Sequence, residues 1–291
     1  MQYNSIAQMI ALSNTNEIPL WRVVLEAEIA LTERTEDEVF NKLRNRYNVM
    51  RRSCERALTE PLPTLGGLIT GLAGTQQTYA ETGGIAGTFI NQLMARALSA
   101  SEVNASMGKI CAAPTAGSCG ILPAVLMTVG EQYNCSEQTI LEALLIASGV
   151  GMVVTENATV AGAEGGCQAE CGTAAAMAAA GSVYMAGGTN EAIENAVAIT
   201  FMNVLGLVCD PVAGLVQVPC AQRNASQAVN AITSADMALA GMTSVVPADQ
   251  MIAAMYEVGR ALPVTLRETG KGGTSAAPAG KAIYNQLFNN S

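Results

Sequence analysis

From Pro61 onward this chain alternates apolar runs with glycine-rich joints, and that alternation limits its fold more than any other feature. The joints are Gly66-Gly67, Gly83-Gly84, Gly117 to Gly120, Gly162 to Gly172, Gly187-Gly188 and Gly270 to Gly280. Between them lie Ile140–Val154, Ala174–Ala186 and Glu191–Leu207, each with the spacing of a buried or amphipathic helix. Ala174–Ala186 carries alanine at almost every position, so neighbouring backbones can approach it closely. No alternating run of useful strand length interrupts the series. Half of the residues are apolar but only 4% are aromatic, which suits close-packed helices and not a β-sandwich.

The first sixty residues read as helices too. Pro19 to Leu31 is amphipathic, with proline in the first turn, where its missing N–H costs nothing. Thr35-Glu36-Asp37-Glu38 has the form of a capping box. Val39, Leu43, Tyr47, Met50 and Cys54 then recur on one helical face. Ser136 and Thr189 are N-cap candidates, and Pro247 opens a last helix through Leu262, with Met251, Met255 and Val258 on one side. The fold expected is all-α, a single globular domain over 1–291. Its helical N-terminal part is 1–60, and 61–291 holds the chemistry.

A net charge of −9 repels polyanions, so no nucleic acid is expected as a partner. Met1-Gln2-Tyr3-Asn4 does not open a signal peptide, and no uninterrupted apolar run reaches the roughly 18 residues of a membrane span. Ile140–Val154 contains Glu142 and reads as a buried helix. No membrane partner and a cytoplasmic location are therefore expected. Eight cysteines in a reducing compartment are thiols or metal ligands, not disulfides. The chain has no histidine, so the commonest general base and the commonest zinc ligand are both missing.

Three joints carry residues that packing does not require: Gly108–Gly120, Gly162–Gly172 and Cys209–Asn224. Cys167 and Cys171 are four apart, one face of a helix. Cys209 and Cys220 lie 11 apart among prolines. Spacing alone leaves two readings level, a thiolate metal site and small buried hydrophobes. Lys109, Thr115 and Ser118 sit in a glycine-rich turn where they can hold a substrate carboxylate, against the plain reading of Lys109 as a solvated lysine. Asn157 and Glu164 precede Cys167 as pocket-lining candidates or simple cap and turn residues. Arg223 and Asn224 offer a carboxylate clamp or an inter-helix salt bridge. Lys271, in Glu268–Gly273, belongs to a flap or to a surface turn.

Four phrases decide among these readings by resemblance. They are APT-x-G-x-x-G-I-x-PA at Ala113–Ala124, EGGCQAE at Glu164–Glu170, DPVAGLVQVPC-x-x-RNA at Asp210–Ala225 and ETG-x-GG…PAGK at Glu268–Lys281. Together they resemble the α subunit of iron–sulfur-dependent L-serine dehydratases, over nearly the whole chain. The resemblance implies a lyase that converts L-serine to pyruvate and ammonia at the open iron of a [4Fe-4S] cluster. It makes Cys167, Cys209 and Cys220 the three ligands, 42 and 11 residues apart, and leaves Cys54, Cys111, Cys119, Cys135 and Cys171 to packing or the pocket wall. Three thiolates leave one iron open as a Lewis acid, whereas four would saturate the cluster. Lys109, Thr115, Ser118, Asn157 and Lys271 are the candidate catalytic residues.

The same resemblance implies a β part, supplied in single-chain members by a preceding domain with a serine- and histidine-containing loop. Here a separate β subunit in an α/β hetero-oligomer is expected, along with any histidine base. Threonine and cysteine are alternative substrates, and a non-catalytic iron–sulfur sensor is the alternative from another class. Because the chain reads Phe288-Asn289-Asn290-Ser291 at its end, inhibition by a cysteine tail, known in some members, is not expected.

Overall fold

The computed structural model describes residues 1–289; Asn290 and Ser291, part of the tail just discussed, lie outside the described residues. Three helices form the N-terminal part: α1 (Ile6–Thr15), α2 (Leu20–Thr32) and α3 (Glu36–Arg56). Pro19 stands at the N-cap of α2, as expected. The Thr35 capping box is closed in both directions, with Glu38 N donating to Thr35 Oγ1 at 3.3 Å and Thr35 N donating to Glu38 Oε2 at 2.8 Å. All five expected residues of the α3 apolar face are buried.

The remaining helices are α4 (Leu72–Ala80), α5 (Gly87–Ala105), α6 (Ile121–Gln132), α7 (Glu137–Asn157), α8 (Gly162–Gly165), α9 (Thr173–Met185), α10 (Asn190–Met202), α11 (Cys220–Leu239), α12 (Ala248–Ala261), α13 (Gly273–Ala276) and α14 (Pro278–Phe288). Ser136 and Thr189 cap α7 and α10 through Thr139 N and Ala192 N. No strand occurs among the described residues, so the all-α, single-domain expectation holds. The one extended contact is an isolated bridge between Cys209 and Arg267.

α9 is the axis of the molecule. Thr173 to Val183 are buried without a break, and α6, α7, α10 and α11 pack around them. A helix apolar on every side must be enclosed on every side, and alanine side chains let four neighbours crowd it. The same continuous core takes in Tyr3 and Ile6 from the N-terminus and Met255 from α12, so the first sixty residues share the core of the rest. At the crossing of α5 with the start of α6, a Cβ on Gly120 would run into the Ala97 carbonyl, so only glycine allows that approach.

Two helices differ from expectation in extent. α7 runs beyond Ile140–Val154 at both ends to 21 residues, long and apolar enough to cross a membrane by length and composition alone. Packing against α2 and α9 leaves 61% of its most apolar window buried, the core role expected of it. α10 stops at Met202, five residues short of Leu207. The chain turns there through Gly206 (φ +86°), and Gln168 captures the turn from across the fold.

Candidate cysteine-lined active site

The second and third motif joints are sewn together by buried polar side chains. Gln168 is fully buried; its Nε2 donates to Gly165 O (3.0 Å) and Met255 O (3.1 Å), and its Oε1 accepts from Gly206 N (2.8 Å). Gln168 N also donates to Leu207 O at 3.1 Å. The stretch leading to Cys209 is thereby fixed beside Cys167. Cys209 N donates to Leu266 O at 2.9 Å and Glu268 N to Cys209 O at 2.6 Å, which lays the 264–268 segment along Cys209. Cys220 is the first residue of α11. One turn on, Asn224 Oδ1 accepts from Gly120 N (2.8 Å) and its Nδ2 donates to Gly117 O (2.7 Å) and Cys220 O (2.9 Å), joining the first motif to the third.

Arg223 closes the arrangement. Its Nη1 donates to Val208 O at 2.7 Å and lies 2.8 Å from Asp210 Oδ1, with only 3% of the Asp210 side chain exposed. Asp210 also accepts from Thr274 N through Oδ2, and its carbonyl accepts from Thr274 Oγ1, both at 2.7 Å. The C-terminal glycine-rich joint is thus tied to the loop after Cys209. Arg223, on α11, bridges to Asp210 in the loop after Cys209, a helix-to-loop pair where the sequence reading offered an inter-helix one.

The tethers through Gln168, Arg223 and Asn224 bring the joints that carry Cys167, Cys209 and Cys220 together, with Glu170 Oε2 lying 3.9 Å from Cys209 Sγ. Burial, then the charges of Glu170 and the other thiols, pushes the Cys209 thiol far up; burial and the charge of Cys167 push Cys220 up to about 12. Cys167 moves the other way: its sulfur–sulfur contact with Cys171 at 3.4 Å, and then the Arg223 guanidinium, favour its thiolate. Cys171 is raised by the same bond and by burial. Among the described residues no three His, Cys, Asp or Glu side chains converge tightly enough to hold a single metal ion.

Glu170 stands at the centre of this recess. Its Oε1 accepts from Thr115 Oγ1 at 2.9 Å, and its Oε2 lies 3.9 Å from Cys209 Sγ. Burial raises its carboxyl and the Thr115 hydroxyl opposes the rise. A Cβ on Gly162 would strike both Glu170 Oε2 and Cys209 Sγ, so this glycine leaves the space the two groups occupy.

The candidate residues named from sequence divide sharply. Thr115 and Ser118 reach the recess; their hydroxyls are 3.2 Å apart and Ser118 is fully buried. Lys109 is exposed in a separate open groove of about 630 Å³, with Arg34, Lys42 and Arg46 opposite and Cys111 beside it. Asn157 is exposed at the end of α7, where its Nδ2 donates to Asn4 O (2.7 Å) and Val153 O (2.8 Å). Glu164 accepts from Thr159 Oγ1 at 2.6 Å within its own turn. Lys271 is exposed in the loop that Thr274 fastens to Asp210. Glu170, Gln168 and Asp210 were not picked out from sequence. Each stood inside a quoted phrase, and the usable signal was a charged or amide residue within a run that is otherwise small or apolar.

The serine dehydratase alpha chain family model matches residues 15–275. An L-serine dehydratase, alpha chain, of Peptoniphilus asaccharolyticus is 50% identical over 281 residues, covering 96% of each chain. A probable L-serine dehydratase, alpha chain, of Bacillus subtilis is 43% identical over 98% of this chain and 95% of its own. An L-serine dehydratase of Streptomyces coelicolor is 37% identical over 91% of this chain but only 59% of its own length.

Proposed function

The chain belongs to the serine dehydratase alpha chain family, and on that premise we propose that it is the cluster-bearing subunit of an iron–sulfur enzyme that converts L-serine to pyruvate and ammonia. The observation that supports this reading is that Gln168, Arg223 and Asn224 tie together the joints bearing Cys167, Cys209 and Cys220, with the Arg223 guanidinium held among them on Val208 O and Asp210. Soft thiol donors suit iron–sulfur chemistry, and three thiolates that repel one another are relieved by a cationic group among them. The chemistry of this donor set suits such a cluster.

When bound, a [4Fe-4S] cluster on these three cysteines supplies a Lewis-acidic iron to a hydroxyl leaving group. The chain's own residues do the rest of the positioning. Arg223 holds the loop after Cys209 through Val208 O and Asp210, and its positive charge favours the Cys167 thiolate. Thr115 and Ser118 present hydroxyls for the polar groups of serine, and Glu170 fixes the Thr115 hydroxyl by accepting its hydrogen bond. Buried walls around Cys167 and Cys209 keep bulk water out, which strengthens each charge interaction. The reaction removes the proton on Cα and the hydroxyl on Cβ as water; the enamine tautomerises and hydrolyses to pyruvate and ammonia.

Removal of the Cα proton needs a positioned base, and this chain has no histidine. A separate β subunit supplies that base in this reading. The Streptomyces relative supports it, since about two-fifths of its length lies outside the part this chain matches. We expect the anaerobically reconstituted chain to turn over serine poorly alone, and at least tenfold faster once the β chain is added. A pyruvate assay with serine, threonine and cysteine in parallel checks both partner and substrate. Equal rates with and without the β chain would refute the division of labour; faster threonine or cysteine turnover would reassign the substrate.

A further inference from the structure

Cys171 has no place in the proposed ligand set, yet it is not an ordinary packing thiol. The other thiols with a close polar neighbour face backbone or carboxylate oxygens: Cys119 faces Ala100 O at 3.7 Å, Cys135 faces Met185 O at 3.9 Å, and Cys209 faces Glu170. Only Cys167 and Cys171, among the described residues, make a sulfur–sulfur contact, at 3.4 Å. The backbone explains it. Residues Gln168–Gly172 form a π-helical turn, a wide turn found mostly at functional sites, and the four-residue step sets the two side chains on one face. Both thiols are free, and both are buried at the recess wall.

We propose that Cys167 and Cys171 are a redox-sensitive pair, which closes to a disulfide when the cluster-free chain meets a peroxide and so withdraws Cys167 from the ligand set. This rests on the reading of Cys167 as a ligand. The step balances in two stages. The Cys167 thiolate attacks one peroxide oxygen and becomes a sulfenic acid, releasing hydroxide. The Cys171 thiol then attacks the Cys167 sulfur; the S–S bond forms, the S–O bond breaks and water leaves. Two thiols are oxidised and one peroxide is reduced. The sulfurs must close from 3.4 Å to about 2.05 Å. Disulfide formation also shields Cys167 from irreversible oxidation, and a dithiol reductant reopens the pair.

The test uses the full chain, stripped of iron anaerobically, treated with hydrogen peroxide, then unfolded and alkylated for peptide mass mapping. Two of the eight thiols should disappear, with Cys167 and Cys171 found in one crosslinked species. Iron and sulfide uptake by the folded, oxidised sample should fall to background and return in full after dithiothreitol. In Cys171→Ala the crosslink should be absent, Cys167 should gain oxygen, and dithiothreitol should restore uptake only in part. Eight reactive thiols after peroxide, or a crosslink mapped elsewhere, would overturn the proposal while leaving the ligand reading intact. A Cys167–Cys171 crosslink that leaves iron uptake unchanged would overturn the loss of a ligand, and the assignment of Cys167 with it.

Discussion

Replacing Cys167, Cys209 or Cys220 by serine should abolish both the brown absorption of the reconstituted chain and its serine turnover. Cys54→Ala and Cys135→Ser should retain both. A hydroxyl is a poor substitute for a soft thiolate toward iron. Even residues that only orient metal ligands command roughly 10–100-fold in metal affinity or activity, so loss of a ligand should exceed that. The control thiols face elsewhere: Cys54 is in the core beneath α3, and Cys135 lies beside the Met185 carbonyl. Visible absorption and iron content check the loading, and pyruvate formation checks the chemistry. Full iron content in a triple variant at 167, 209 and 220 would move the site elsewhere.

The second large effect is on stability. Arg223→Met should lower the unfolding free energy by about 3–5 kcal/mol, because it leaves the Asp210 carboxylate buried without its cation. The loss should be well beyond that of an exposed pair such as Arg44–Glu137, which is worth about 1 kcal/mol or less. Pairing Arg223→Met with Asp210→Asn should recover part of it, since no unpaired charge then remains. Asp210→Ala should also free Thr274 and expose the Gly270–Gly273 joint to protease. Urea denaturation of the two single variants and the double variant gives the coupling directly. A loss below about 1 kcal/mol for Arg223→Met would show that the pair does not clamp the cysteine loops.

Local physics was legible in the sequence, and long-range tethering was not. The capping box, the proline starts of α2 and α12 and the buried α3 face follow from neighbours within one or two turns. α10 overshot because its end is decided by Gln168, 38 residues away, which takes the Gly206 N–H. Lys109 was chosen for its place in the first glycine-rich motif and Asn157 for preceding Cys167, but position in the chain does not set direction. Asn157 turns back onto Asn4, and Lys109 faces α3. Glu170 was overlooked for the converse reason. No spacing rule marks it, and its place between Thr115 and Cys209 exists only once three joints meet. Family resemblance named the three cysteines together; spacing alone left them level with packing thiols.

The most direct measurement is a single anaerobic titration of the chain with iron and sulfide, in the presence of the β subunit, following bound iron and pyruvate formation from serine on the same samples. The account predicts that turnover rises in step with iron and reaches its plateau at ~4 irons per chain. Serine turnover at an undiminished rate in iron-free, chelator-treated samples would contradict it.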